Sequence, residues 1–352
     1  VISKAMQVLE EISARNVVHW NALIAGYTQE GHVQGAILCL SKMQHDGLSP
    51  DTITFILILK ACAKIKAVDV GEQIHEKIME KNLLEKDIML GNTLVDMYAK
   101  CGRLAKAKKV LEELPYRNVV SWNALISGYV QQEKCHEALH YFQSMQREGI
   151  SPDAVTFVCV LQACGKTRCI DKGKQIHDVL VARGLLGKDI VLGNALVDMY
   201  AKCRVLTKAR KVLEELVNRN VASWNSLIAG YAQQGQEHEA LSCFEQMQRE
   251  GFRPDAVTFI CILKACSKTR AIEKGKQIHD KILNGGFLEK DSVLGNALVD
   301  MYAKCGILSK ALKVFEELPV RDTISWSALI SGYAQEGHYD EVVKYFKEML
   351  RD

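Results

Sequence analysis

At 352 residues and 48% hydrophobic content the chain is long enough to bury a large core, and length alone suggests two or three globular domains. No run of 18 apolar residues and no basic, hydrophobic and small-residue leader occur, so neither a membrane span nor a signal peptide is predicted and the chain is expected to be soluble. A net charge of +3 falls short of the strongly basic balance that marks a nucleic-acid binder by charge alone, so the position of the charges must carry any such reading.

In chain order, residues 1–16 read as the second helix of a hairpin that lacks its first. Self-similarity then takes over. Trp20-Asn21-Ala22-Leu23-Ile24 returns at Trp122, at Trp224 and, with Ser327 for Asn, at Trp326, each 102 residues on. A Leu-Gly-Asn-x-Leu-Val-Asp-Met-Tyr-Ala-Lys-Cys block begins at Leu90, Leu192 and Leu294, and Gly-x-Gln-Ile-His ends at His75, His177 and His279. Each long period divides into hairpins of 35, 36 and 31 residues: 17–51, 52–87 and 88–118; then 119–153, 154–189 and 190–220; then 221–255, 256–291 and 292–322, with a shortened hairpin at 323–352. Both ends therefore stop within a hairpin, and the sequence is expected to be part of a longer protein. Within 119–153, Trp122, Leu125, Ile126 and Tyr129 and then Ala138, Leu139, Phe142 and Met145 mark two amphipathic helices, closed by Gly149 and Pro152. A lone hairpin cannot cover both stripes, so neighbours must stack into one repeat array.

Twelve cysteines without a single C-x-x-C pair, in a chain so long and helix-patterned, predict reduced and mostly buried thiols in a reducing compartment, with neither zinc nor disulfides.

The 35-36-31 cadence, the Val-x-Ser-Trp-Asn-x-Leu-Ile openings, the Pro-Asp closings and the Asn-x-Leu-Val-Asp-Met-Tyr-Ala-Lys-Cys block resemble the P-, L- and S-type motifs of PLS-class pentatricopeptide repeat (PPR) proteins of plant organelles. The resemblance covers essentially the whole chain. It implies an all-α, right-handed superhelical solenoid of helix-turn-helix repeats that binds single-stranded RNA, with L-type hairpins as a possible seat for protein editing cofactors.

The fifth residue of every complete P- and S-type hairpin is asparagine: Asn21, Asn92, Asn123, Asn194, Asn225 and Asn296. Asparagine is a mediocre helix former. Its amide suits the Watson–Crick edge of an unpaired pyrimidine, and it equally suits a buried tie between hairpins. The last residues, Asp51, Asn118, Asp153, Asn220, Asp255 and Asp322, read as N-caps of the helices that follow and lie near the fifth residue of their own hairpin. In the family, fifth and last residues together specify one base per repeat. By that resemblance the hairpins at 17, 119, 221 and 292 prefer U and those at 88 and 190 take either pyrimidine. L-type Ile56, Val158 and Ile260 read weakly and Ser327 points to a purine. The implied target is 5′-U-n-Y-U-n-Y-U-n-U-R-3′.

The second residues, Val18, Met89, Val120, Val191, Ala222 and Val293, are implied to sandwich the bases, against the plain alternative of first-turn packing. Position thirteen is lysine in every complete L- and S-type hairpin, namely Lys64, Lys100, Lys166, Lys202, Lys268 and Lys304, and glutamine in the P-type. These lysines either line up for phosphates or offset helix C-termini.

Other signals are weaker. Gly165-Lys166-Thr167 lacks the earlier glycine of a P-loop, where Val160 stands. The recurring histidines have no cysteine at ligand spacing and read as packing residues. Many PLS-class proteins end in a deaminase domain, but its H-x-E and P-C-x-x-C elements do not occur here. No enzyme activity, cofactor or membrane partner is expected, the compartment implied is mitochondrion or chloroplast, and a scaffold for protein partners is the alternative function.

Overall fold

A computed structural model describes residues 6–7, 12, 14–187, 189–288 and 292–351, so the lone helix expected over 1–16 lies largely outside the described residues. Among them are 20 α-helices and no strand, the all-α repeat fold that the periodicity predicts. Residue contacts divide the chain into two compact units, 1–167 and 168–352.

In the first unit, helices α1 (Val17–Gln29), α3 (Thr52–Ile65), α5 (Ile88–Lys100), α7 (Val119–Gln131) and α9 (Ala154–Thr167) lie side by side as one layer. Helices α2 (Val33–His45), α4 (Val68–Glu80), α6 (Leu104–Glu113) and α8 (Cys135–Arg147) form a second layer, each packed on the first helix of its own hairpin and of the next. The second unit begins with α10 (Ile170–Ala182). Its inner layer is α11 (Ile190–Lys202), α13 (Val221–Gln233), α15 (Ala256–Thr269), α17 (Ser292–Lys304) and α19 (Thr323–Gln335). Its outer layer continues with α12 (Leu206–Glu215), α14 (Glu237–Arg249), α16 (Ile272–Asn284), α18 (Leu308–Glu317) and α20 (Tyr339–Met349). The two helices expected to pair in 154–189 thus fall in different units. No described helix is long and apolar enough to cross a membrane.

Local sequence explains the starts and stops. Inner helices open on Asn or Asp caps whose side chains accept the first free N–H groups, as at Asn16, Asp51, Asp87 and Asn118. The turn into α6 needs a left-handed residue, supplied by Gly102 at φ 76°; Arg204 takes the same place before α12 at φ 63°. Burial follows the predicted stripes: Trp122, Leu125, Ile126, Tyr129, Ala138, Phe142 and Met145 are buried, and Leu139 is half-buried.

The recurring histidines pack as expected. His75, His177 and His279 place Nδ1 at 3.0, 2.9 and 2.9 Å from the hydroxyls of Tyr98, Tyr200 and Tyr302. Burial lowers the imidazoles below their usual range and pushes the three phenols up to about 12. The twelve cysteines are thiols, eight of them buried, and burial pushes Cys62 up to about 12.

Neighbouring inner helices approach closely where a glycine meets an alanine. A Cβ on Gly128 of α7 would stand 2.5 Å from the Cβ of Ala99 in α5, whereas one on Gly26, at the same place in α1, meets nothing within 4 Å. Gly26→Ala should therefore stabilise the protein by up to about 1 kcal/mol through helix propensity. Gly128→Ala should lower stability by about 1 to 3 kcal/mol by wedging two helices apart. Urea midpoints of the two variants, expected to move in opposite directions, check this.

Candidate nucleic-acid interface

Helical periodicity sets positions 2, 5, 9 and 13 of an inner helix on one face. The second residues stand out from it: Val18, Met89, Val120, Val191 and Val293 are 53–71% exposed, and Ala222 is exposed as well. First-turn packing does not hide them.

The fifth and last residues meet in every complete P- and S-type hairpin. In the first unit the side-chain N–H of Asn21 donates to Asp51 Oδ1 at 3.0 Å, Asn92 to Asn118 at 3.3 Å and Asn123 to Asp153 at 2.9 Å. In the second, Asn194 donates to Asn220 at 3.2 Å, Asn225 to Asp255 at 2.9 Å and Asn296 to Asp322 at 3.0 Å. The same acceptor oxygens cap the next helix, for example by taking the N–H of Thr54, Ser121 and Thr156 at 2.8, 3.0 and 2.9 Å. Capping and contact with the fifth residue therefore coexist in one atom. The asparagines are largely covered: all but the half-buried Asn194 are 5–8% exposed.

A hydroxyl distinguishes two kinds of junction. Thr54, Thr156 and Thr258 place their hydroxyls 2.7, 2.6 and 2.6 Å from the amide oxygens of Asn21, Asn123 and Asn225, the nearer acceptors, and 2.8, 2.9 and 2.9 Å from the Oδ1 atoms of Asp51, Asp153 and Asp255. At the other three, Ser121, Ser223 and Ser325 donate to the backbone carbonyls of their caps at 2.8, 2.7 and 2.8 Å. The amide oxygens of Asn92, Asn194 and Asn296 are left buried without a partner among the described residues. Burial pushes the Asp51, Asp153 and Asp255 carboxyls up, but the threonine N–H, the asparagine amide and the threonine hydroxyl outweigh it and hold them below the usual carboxylate range. Asp322 is held low chiefly by the Ser325 N–H.

In the first unit these groups share a groove of about 580 Å³. Met89, Val120 and Val155 form its apolar rim, Asn92, Asn118, Asn123 and Asp153 its polar floor, and Lys60 and Asp96 contribute charge. Ile56, Val158 and Ile260, at the fifth position of the 36-residue hairpins, are half-buried. Exposed Ser327 donates to its own helix at Thr323 O, 2.7 Å.

All six position-thirteen lysines sit in the last turn of their helices and have partners. Lys64, Lys166 and Lys268 donate to carbonyls at the end of a preceding inner helix, Thr28, Val130 and Ala232, at 2.6, 3.5 and 3.1 Å. Lys100, Lys202 and Lys304 pair with Asp96, Asp198 and Asp300 one turn earlier, at 2.8, 2.6 and 2.8 Å. These aspartates and the three threonines are site residues that the sequence reading passed over. The i,i+4 Asp–Lys spacing signals the first set, and the recurrence of Thr at the third place of each 36-residue hairpin was the only signal for the second.

The family model described as "PPR repeat family" matches residues 15–64, 117–166 and 219–268, and "PPR repeat" matches 92–119, 194–221, 296–322 and 324–352. Relatives include the mitochondrial pentatricopeptide repeat-containing protein At3g09040 of Arabidopsis thaliana, 37% identical over 99% of this chain and 34% of that protein. The chloroplastic At1g11290 of the same plant is 34% identical over 99% of this chain and 43% of its own length. The chain spans about half the length of the curated relatives it matches. Among solved structures, PPR10 in complex with an 18-nt psaJ RNA element superposes with a TM-score of 0.83 at 20% identity, covering 99% of this chain and 52% of that one.

The shared cap makes the last residue a stability determinant with a definite pH sign. A folded-state carboxyl held low contributes stability that is present above its unfolded value, about 3.9, and is lost as pH falls through the folded one. Asp153→Ala should cost about 0.5 to 2 kcal/mol at pH 7. Its deficit against the unsubstituted protein should shrink as pH falls below about 4, read by urea unfolding across pH.

Proposed function

The chain belongs to the pentatricopeptide repeat family, and from that premise we propose that it holds single-stranded RNA along its inner helices, one nucleotide per hairpin. The observation that carries the reading is the fifth-to-last hydrogen bond, made six times, each beside an exposed aliphatic second residue. An asparagine whose one N–H holds the last residue keeps its second N–H for a ligand. Asp51, Asp153 and Asp255 each keep a second carboxylate oxygen that makes no hydrogen bond in the described structure. A donor beside an acceptor complements the oxygen and N3–H of uracil.

On this reading the array is of the PLS class and is the recognition tract of an organellar RNA-editing or RNA-processing factor with the target 5′-U-n-Y-U-n-Y-U-n-U-R-3′. Names of relatives that specify mitochondrion or chloroplast support an organellar address. The L-type hairpins, with aliphatic Ile56, Val158 and Ile260 in the reading position, contribute little base selectivity and are the hairpins open to protein cofactors. Aliphatic stacking contributes less per base than the ~1 to 3 kcal/mol typical of aromatic side chains, so affinity accumulates over many repeats.

Binding of RNA carrying this pattern against polyA, with one substitution, tests the reading. Asn123→Thr with Asp153 kept should shift the fourth base from U toward G, and an unchanged preference there would sink the assignment. A second measurement concerns the lysines. Six phosphate contacts at ~0.7 each give a fall of log affinity with log salt at a slope of roughly 4. A slope near zero removes Lys64, Lys100, Lys166, Lys202, Lys268 and Lys304 from the interface.

A further inference from the structure

We infer that Thr54, Thr156 and Thr258 are positioning residues, each of whose hydroxyls pins the asparagine of the preceding hairpin and sharpens its choice of uracil over cytosine. The inference rests on the RNA-reading role proposed above and adds to it a residue outside the hairpin that does the reading.

A carboxamide offers one acceptor and two donors, and which of them faces a ligand depends on what fixes the rest. In 119–153, Asn123 gives one N–H to the Asp153 carboxylate at 2.9 Å, while its oxygen takes the Thr156 O–H at 2.6 Å. The threonine oxygen in turn accepts the Asp153 N–H at 3.2 Å. Rotating the amide by half a turn would set its oxygen against the Asp153 carboxylate, an unfavourable contact between two acceptors, and would take the nearer acceptor away from the Thr156 hydroxyl. One state survives, with a single N–H left for the groove. Asn21 with Thr54 and Asn225 with Thr258 repeat the arrangement. A base whose carbonyl takes that N–H then points N3 at the free carboxylate oxygen. Uracil donates a proton there, whereas cytosine presents a lone pair to an anion.

The hairpin 292–322 carries the same fifth and last residues, Asn296 and Asp322, without the clamp. Ser325 turns to the Asp322 carbonyl, and the oxygen of Asn296, a residue 5% exposed, is buried with no partner among the described residues. The amide nitrogen lies 3.0 Å from both carboxylate oxygens, so the acceptor that uracil needs is already engaged. Without a hydroxyl on its oxygen the Asn296 amide is held from one side only, so its orientation is less fixed than that of Asn123. Asn92 and Asn194 leave the same orphaned oxygen. Identical pairs of reading residues therefore differ in selectivity according to the third residue of the next hairpin.

The test measures the affinity ratio for U over C at one base at a time, in the chain as it stands and in Thr156→Val, which removes the hydroxyl and keeps the shape. In the unsubstituted chain the ratio at the base facing 119–153 should exceed that at the base facing 292–322 by about tenfold, the worth of one hydrogen bond. Thr156→Val should lower the first ratio toward the second and leave the ratios at all other bases unchanged, a site-confined effect that general loosening would not produce. Equal ratios at the two bases overturn the inference, as does an unchanged ratio in a folded Thr156→Val. Should that variant not fold, the comparison between the two bases in the unsubstituted chain decides alone. Absence of base preference at every repeat sinks the RNA-reading proposal itself, a result distinct from equal but real preferences.

Discussion

One oxygen atom in each 35- and 31-residue hairpin ties the inner layer together. In the 35- and 31-residue hairpins the Oδ1 of the last residue closes the first turn of the next helix and receives the amide of the fifth residue, so it belongs to the fold and to the groove at once. A cap contributes about 0.5 to 2 kcal/mol. Leaving a buried amide without its acceptor costs roughly 1 to 3 kcal/mol more. Side chains free to vary here are thus few, and Asp and Asn are the two that cap equally well while presenting different second atoms to a ligand. That is the variation seen: Asp51, Asp153, Asp255 and Asp322 against Asn118 and Asn220.

Charge is arranged on the same principle of double use. A net charge of +3 gives no strong field. The lysines at position thirteen rest on carbonyls at helix ends, where they offset the dipole, or on an aspartate one turn away. An exposed i,i+4 pair is worth only ~0.3 to 0.5 kcal/mol, so it holds the ammonium group weakly. Holding the ammonium groups in place before a ligand arrives also limits the side-chain entropy lost on binding.

What the sequence revealed and what it hid divides along sequence separation. Apolar stripes, cap residues and the start of every inner helix depend on neighbours within a turn or two, and periodicity exposes them. The Asp96–Lys100 pair is equally local and could have been read from its spacing. The bond from Thr156 to Asn123 spans 33 residues and that from Lys64 to Thr28 spans 36. Both exist because one hairpin stacks on the next, and nothing in the threonine's own surroundings announces it, since a Thr three places after an Asp is explained already by the capping box. The covering of the asparagines, too, follows from stacking rather than from their own helix.

The unequal hairpin lengths find a physical account in the same bond. The outer helices α6, α12 and α18 have 10 residues where α2, α8 and α14 have 13. The last residue accordingly follows the fifth by 26 positions in one kind of hairpin and by 30 in the other, yet the amide-to-cap distance stays between 2.9 and 3.3 Å in both. Length variation is absorbed in the outer layer, while the spacing of inner helices is set by close contacts such as Gly128 on Ala99 and Gly230 on Ala201. An outer helix can therefore lose a turn without disturbing the bond between the fifth and last residues. What the shorter hairpins do not keep is the third partner, the hydroxyl on the amide oxygen, because at their junctions the hydroxyls of Ser121, Ser223 and Ser325 turn to the backbone carbonyl of the cap instead.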